Sequence, residues 1–250
     1  GQTGKAAIIF YESAITNLDA NTEIIVSEIN KNKVGLKQTT GTTWNKIFNK
    51  NSRWNKFSSV LGINTFKIET PSTVAVVRGT SFEISENKIM VKEGIVEVNT
   101  KTKIITLTEG QKLNKKEDIF VQGEINEEDK ETLKERQKET VKILQLIRNK
   151  EIEEQQKKNK YTKGLLENFG IKDKELQQLV DEADEGKIDI DKALEKSPVQ
   201  TVPIKRIGEM TKEIQDLNKK IKEEDTKTKE TKEEDKEDNE PVQTKKKDKE

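Results

Sequence analysis

The sequence predicts an all-β domain over residues 1–118, an antiparallel roll or solenoid-like sandwich, then an α-helical region over 126–221 and a disordered Lys/Glu-rich tail over 222–250. Three observations carry that division. Apolar and polar residues alternate through most of the first part, and turn-forming residues recur there about every seven to ten positions. After Asn126 the apolar spacing lengthens to that of helices, and after Ile221 apolar residues almost cease.

The strands are clearest over 65–113. Phe66 and Ile68 alternate with Lys67 and Glu69, Phe82 and Ile84 with Glu83, Val96 and Val98 with Glu97, and Ile105 and Leu107 with Thr106. A period of two gives each strand one apolar face and leaves the other to water. Pro71, Gly79, Gly94 and Gly110 punctuate the run as turns. Upstream, Ala7 to Phe10, then Leu18, then Ile24, Ile25 and Val26 read as earlier strands, with turn residues at Asn17, Asp19, Asn21 and Asn30. The stretch 41–48 reads as another strand, whose Trp44 belongs in the core. The longest loop, 49–63, holds Trp54 beside Arg53 and Lys56, which makes Trp54 a candidate exposed contact for a partner.

Asn126 stands ahead of Glu127, Glu128 and Asp129, a helix start in which the side-chain oxygen and the acidic first turn offset unpaired N–H groups. The spacing predicts a helix to about residue 158, with Leu133, Val141, Leu144 and Ile147 on one stripe. Leu176, Leu179, Val180 and Ala183 write a second helix that should stop at Gly186. Pro198 and Pro203 are read as breaks. Ile207, Met210, Ile214, Leu217 and Ile221 then recur at alternating three and four positions, a stripe suited to helix association, and Ile214 and Leu217 are its candidate partner contacts. Residues 222–250 carry 9 Lys against 12 acidic residues, too little apolar surface to offset the entropy of ordering.

The chemistry open to this chain is narrow. It has no Cys and no His, which removes thiolate and imidazole metal sites, Cys nucleophiles and the commonest general base. Lys+Arg and Asp+Glu balance at 47 each, and the excess of 16 basic over 10 acidic residues in 1–115 is spread along strands, so nucleic acid is not an expected partner. No apolar run approaches the roughly 18 to 20 residues of a bilayer span. Residues 181–192, DEADEGKIDIDK, imitate a calcium loop, but Ala183 and Lys192 stand where two oxygen ligands belong, and a helix end followed by a new cap explains the same letters. No nucleophile elbow, phosphate loop or dinucleotide fingerprint occurs. The expectation is a protein without catalytic residues, metal or cofactor.

One constellation is specific enough to suggest a family. Thr70-Pro71, the apolar strand ending in Val77-Arg78-Gly79-Thr80, then Phe82, Glu93-Gly94, Val96, Val98, Leu107 and Gly110-Gln111 follow one another in the order of the FecR domain, which the chain resembles over about residues 1–115. Ala6-Ala7-Ile8-Ile9-Phe10, Leu18, Thr22 and Ile24 resemble strands that precede this pattern in the family. FecR domains carry further strands before these, so the resemblance implies that the start of the domain is missing and that 6–10 form an unpaired edge. It also implies an extracytoplasmic placement, periplasmic or at the cell surface, behind a membrane anchor upstream of Gly1. The implied function is a non-enzymatic interaction or scaffold module whose partner is an envelope protein or other macromolecule. The alternatives are a transmembrane regulator relaying a signal to a sigma factor and, in another class, an enzyme acting on envelope glycans. Arg78 is expected to tie adjacent turns through carbonyls or a carboxylate such as Glu83 or Glu93.

Overall fold

The computed structural model describes residues 3–10, 13–30, 32–48, 63, 65–158, 173–190 and 202–237. Thirteen strands come first: β1 (Ala6–Phe10), β2 (Ala14–Leu18), β3 (Glu23–Asn30), β4 (Lys33–Thr40), β5 (Thr42–Ile47), β6 (Thr65–Glu69), β7 (Thr73–Val77), β8 (Ser81–Ser85), β9 (Lys88–Glu93), β10 (Ile95–Thr100), β11 (Ile104–Thr108), β12 (Gln111–Lys116) and β13 (Ile119–Glu124). Three helices follow: α1 (Glu127–Lys158), α2 (Asp173–Asp184) and α3 (Val202–Glu237).

The strands form two stacked sheets. Sheet I runs β1-β2-β5-β8-β9-β12-β13 and sheet II runs β11-β10-β7-β6-β4-β3. Hairpins alternate between them, β6–β7 and β10–β11 in sheet II, β8–β9 and β12–β13 in sheet I, so the chain repeatedly crosses the sandwich. This is the sandwich the alternation predicts. One pairing departs from an antiparallel design, because β4 and β6 run parallel. Strand β5 lies in the other sheet between them, and two crossings return the chain in its original direction.

Register explains the core. Val34, Phe66, Val77, Val96 and Leu107 are successive cross-strand partners in sheet II, and every one is buried. Phe82, Ile84, Ile89 and Val91 face them from sheet I. Phe10 closes one end of this layer, its ring edge-on to Phe66 at 6.1 Å.

The FecR-like motif residues mark the turns and crossings. Thr70 holds the β6–β7 turn: its hydroxyl accepts from the Thr73 amide at 3.0 Å, and its own amide donates to the Thr73 carbonyl at 2.8 Å. Pro71 fits the fixed φ of the next turn position. Gly79 and Thr80 carry the chain from β7 into sheet I, and Gly94 carries it from β9 back to sheet II. These two crossings touch. Gly94 has φ +86°, and a Cβ there would stand 2.8 Å from the Gly79 carbonyl oxygen, so a side chain is excluded by both backbone and space. Thr80 locks the pair by donating to the Ile95 carbonyl at 3.1 Å. Gly110 makes the next crossing, and the Gln111 side chain accepts from the Thr108 amide at 3.0 Å and from Gln122 at 3.1 Å.

The helices begin and end for local reasons. Asn126 accepts from the Asp129 amide at 2.9 Å while the Asp129 carboxylate accepts from the Asn126 amide at 3.1 Å, a reciprocal cap. Gly186, with φ +79°, follows the end of α2. Pro203 does not break the chain as its identity suggested: it sits in the first turn of α3, where no intrahelical N–H bond is lost. Helix α3 also runs past the expected start of the tail to Glu237, and its first extra residues are tied down, Glu224 to Lys92 at 2.5 Å and Asp225 to Lys134 at 2.8 Å. Asn17, read as a turn residue, lies within β2.

Candidate functional site

The outward face of sheet I is where the helices dock. Its side chains fall into two rows set by register. Asn17, Trp44, Glu83, Met90 and Lys112 are neighbours across β2, β5, β8, β9 and β12. Ile15, Lys46, Ser81 and Glu93 form the next row, two residues along on β2, β5 and β8 and three on β9, where the register shifts.

Helix α1 contacts the first row. Met90 and Leu133 pack on Trp44, whose indole N–H donates to the Thr140 hydroxyl at 2.9 Å. Arg136 reaches both Glu83, Nε to carboxylate at 2.7 Å, and Asp19. Lys88 and Lys112 each lie 2.5 Å from Asp129. The alternation left Glu83 to water; instead Arg136 and the helix bury it. The five donors of one guanidinium suit a site between two carboxylates. Burial alone would lower the Arg136 pKa, but Asp19 and Glu83 outweigh it and the guanidinium is held firmly charged. Burial likewise opposes ionisation of Asp129, yet Lys112, Lys88 and the Asn126 amide bring its pKa down to about 2.

Helix α3 contacts the second row. Its stripe Met210, Ile214, Leu217 and Ile221 packs with Val141 and Leu144 of α1 on Ile15 and Phe48 of the β-domain. Ile214 and Leu217, the candidate partner contacts, are therefore buried within the chain itself. Beside them lies a cleft of about 450 Å³ whose lining includes Lys46, Gly79, Glu93, Glu213 and Lys220. Lys46 Nζ stands 2.8 Å from one Glu93 oxygen and 4.0 Å from Glu213, and Lys220 stands 2.7 Å from the other Glu93 oxygen. Burial pushes Glu93 up, but Lys46 and Lys220 prevail and hold its pKa to about 2. Glu213, with Lys46 farther off, is pushed up by the same burial.

The remaining expected residues are distributed as follows. Arg78 is exposed at the end of β7, and the carboxylates considered for it are engaged elsewhere, Glu83 by Arg136 and Glu93 by Lys46 and Lys220. Phe82 is in the sandwich core. Trp54 lies outside the described residues, as does Lys192. Within the calcium-like stretch Asp181 accepts from Gln177 at 3.0 Å, and Asp184 takes Arg148 at 2.5 Å. Among the described residues no three acidic side chains are grouped to hold a metal, and no helix is long and apolar enough to cross a membrane. Of Lys46, Glu93, Asp129, Arg136 and Glu213, the charged centre of the seam, the sequence reading named only Glu93, as a motif residue and a candidate partner of Arg78, and Asp129, as part of a helix start. Their signal exists only once register places them side by side.

Fold and seam define a class: a two-sheet β-sandwich with a helical layer stitched to one face by ion pairs. No family model matches the chain, and no curated protein matches it. Two crystal structures of a candidate anti-sigma factor from Parabacteroides distasonis, at 1.65 and 2.50 Å, are similar to it at 15% identity with a TM-score of 0.41. The likeness covers 50% of this chain and 58% of that one, so the chain spans a little over half the length of that protein.

Proposed function

We propose that this chain is a non-enzymatic interaction module of the cell envelope, extracytoplasmic and membrane-anchored, that serves as a scaffold for another envelope macromolecule. The supporting observation is the tight pairing of two carboxylates of the sheet–helix seam, Glu93 with Lys46 and Lys220 and Asp129 with Lys88 and Lys112. A general acid or base works best with a pKa near the working pH, whereas Glu93 and Asp129 are both held at about 2 by lysines from facing elements. Such groups join surfaces. Placement outside the cytoplasm and the anchor rest on the FecR-like motif around Thr70, Arg78, Gly94 and Gly110.

Photo-crosslinking in intact cells from Ile104 and Ile119, both exposed, tests this reading. Adducts with envelope proteins are the expected outcome. Adducts with cytoplasmic proteins alone would remove the proposed location. Turnover of a glycan or peptide by the purified chain, abolished by one carboxylate substitution, would remove the non-enzymatic reading.

A further inference from the structure

The sandwich, α1 and α3 meet at a polar cavity of about 200 Å³. Strand β9 supplies Lys92 and Glu93, the β11–β12 turn supplies Glu109, α1 supplies Gln137, and α3 supplies Lys220, Glu223 and Glu224. A bulge brings two consecutive residues of β9 there. Ser81 is the partner of Glu93 and Phe82 that of Val91, so Lys92 is an extra residue in the ladder, and both it and Glu93 reach α3. Gln137 stands four positions after Leu133 and four before Val141, both buried, so it takes a place on the inward stripe of α1 that an apolar residue would otherwise fill.

Charge and hydrogen bonding do not balance around this cavity. Its two lysines are committed at short range, Lys92 to Glu224 at 2.5 Å and Lys220 to Glu93 at 2.7 Å. Among the described residues Glu109 forms no ion pair, and Glu223 has only Lys219, at 3.9 Å. Gln137 is 4% exposed, yet its side-chain oxygen has no hydrogen-bond partner. Buried polar groups are as a rule hydrogen-bonded, because an acceptor taken from water and left unpaired is costly. Three acceptors are thus left over, two of them anionic, with no uncommitted cation lining the cavity.

We infer that this cavity is a binding site for a primary ammonium group. Such a group carries three N–H donors on one positive centre, one each for Glu109, Glu223 and Gln137. A bare divalent ion needs converging carboxylates, and among the described residues no three acidic side chains are grouped in that way. A quaternary ammonium has no donor to offer Gln137. The group can come from a free alkylamine or from a lysine side chain of a partner polypeptide, and the chemistry at the cavity is the same for both. The inference goes beyond the interaction-module reading and does not rest on it, because every residue of the site belongs to one chain.

Calorimetry on the purified full chain tests this with three probes: diaminobutane, lysine capped at its α-amino and carboxyl groups, and butanediol as an uncharged control. Saturable binding of at least one amine, and none of the diol, is the expected result, and the tighter amine identifies the source. Glu109→Gln, at an exposed position, and Gln137→Leu, which removes the unpaired acceptor at nearly the same size, should each weaken amine binding at least about tenfold. No amine binding, equal binding of amine and diol, or amine binding indifferent to both substitutions would overturn the proposal and leave water as the occupant. So would carbodiimide coupling in the free chain that joins Glu109 directly to a lysine other than Lys92 or Lys220, since the chain would then fill its own cavity. Because binding is measured on purified protein, it stands or falls apart from the cellular location.

Discussion

Trp44 and Thr140, ninety-six positions apart, meet through a 2.9 Å hydrogen bond from the indole N–H to the hydroxyl, which itself donates to the Arg136 carbonyl at 3.0 Å. The bond crosses the boundary between the β-rich and the helical parts of the sequence. Trp44 is buried, as its place in an apolar strand suggested, but against Met90 and Leu133 on the helix side rather than between the two sheets.

Trp44→Ala should cost about 3 to 5 kcal/mol, the range for deleting a large buried aromatic. Trp44→Phe should cost about 1 to 2 kcal/mol, because ring volume is partly kept while Thr140 loses its donor. Denaturant titration followed by helix circular dichroism reads both. Equal losses for the two variants would mean that the ring kept by Phe contributes nothing, and no loss for Trp44→Phe would mean that the hydrogen bond contributes nothing.

Phe82→Ala should cost about 3 to 5 kcal/mol as well, since Phe82 is fully enclosed by the sandwich. Lys101→Ala, in the exposed β10–β11 turn, should stay within about 0.5 kcal/mol. Lys88 is not a neutral control despite its lysine character, because it lies 2.5 Å from the helix-capping Asp129. Similar losses at Phe82 and Lys101 would contradict the inward direction of β8.

Period reached the strands of the sandwich, and cap residues reached the start of α1 at Asn126 and the stop of α2 before Gly186. It could not reach what the polar faces meet. Glu83 alternates with Phe82 and Ile84 as a solvated residue would, and only the pairing of β8 with β5 and β9 brings it under Arg136. The stripe through Ile214 and Leu217 was legible as an association surface, whereas the identity of the surface it covers depended on Ile15 and Phe48. The charged face of α3 beyond Ile221 resembled a solvated tail because its cations, Lys92 and Lys134, lie in distant elements.

Acid should loosen the seam. Glu93 and Asp129 have folded pKa values of about 2, below their ordinary 4.5 and 3.8. Their stabilising contributions are fully present above those ordinary values and fade as pH falls from about 4.5 toward 2. The unfolding free energy should therefore decline across that window, and Glu93→Gln should flatten the decline. An unchanged slope in that variant would mean the Lys46–Glu93–Lys220 cluster is uncoupled from folding.

Glu213 carries the opposite sign. Burial raises its folded pKa, so its contribution is present below the ordinary carboxylate value and is lost as pH rises through the raised one. Glu213→Gln keeps the shape and removes the charge, and should raise the thermal midpoint at pH 7 while leaving it nearly unchanged near pH 3. A lower midpoint at pH 7 would show that the attraction of Lys46, 4.0 Å away, outweighs desolvation.

Ile214→Asp tests whether the helical layer is held chiefly by its apolar stripe or by its ion pairs. The residue is fully buried among Ile15, Phe48 and Leu144, where an unpaired carboxylate is costly. The surrounding charge pairs are partly solvated, and pairs of that kind contribute about 0 to 1 kcal/mol each. The substitution should therefore release α3, seen as fast amide exchange across 207–221, while β6 to β11 keep their protection, because their core is formed by the other faces of the two sheets. Leu217→Asp should act in the same direction. If α3 stays protected in both variants, the contacts of Lys46, Lys92 and Lys134 with Glu93, Glu224 and Asp225 dominate the docking. If the sandwich unfolds with the helix, the two layers form one cooperative unit, and Trp44 with Thr140 is the place to look for that coupling.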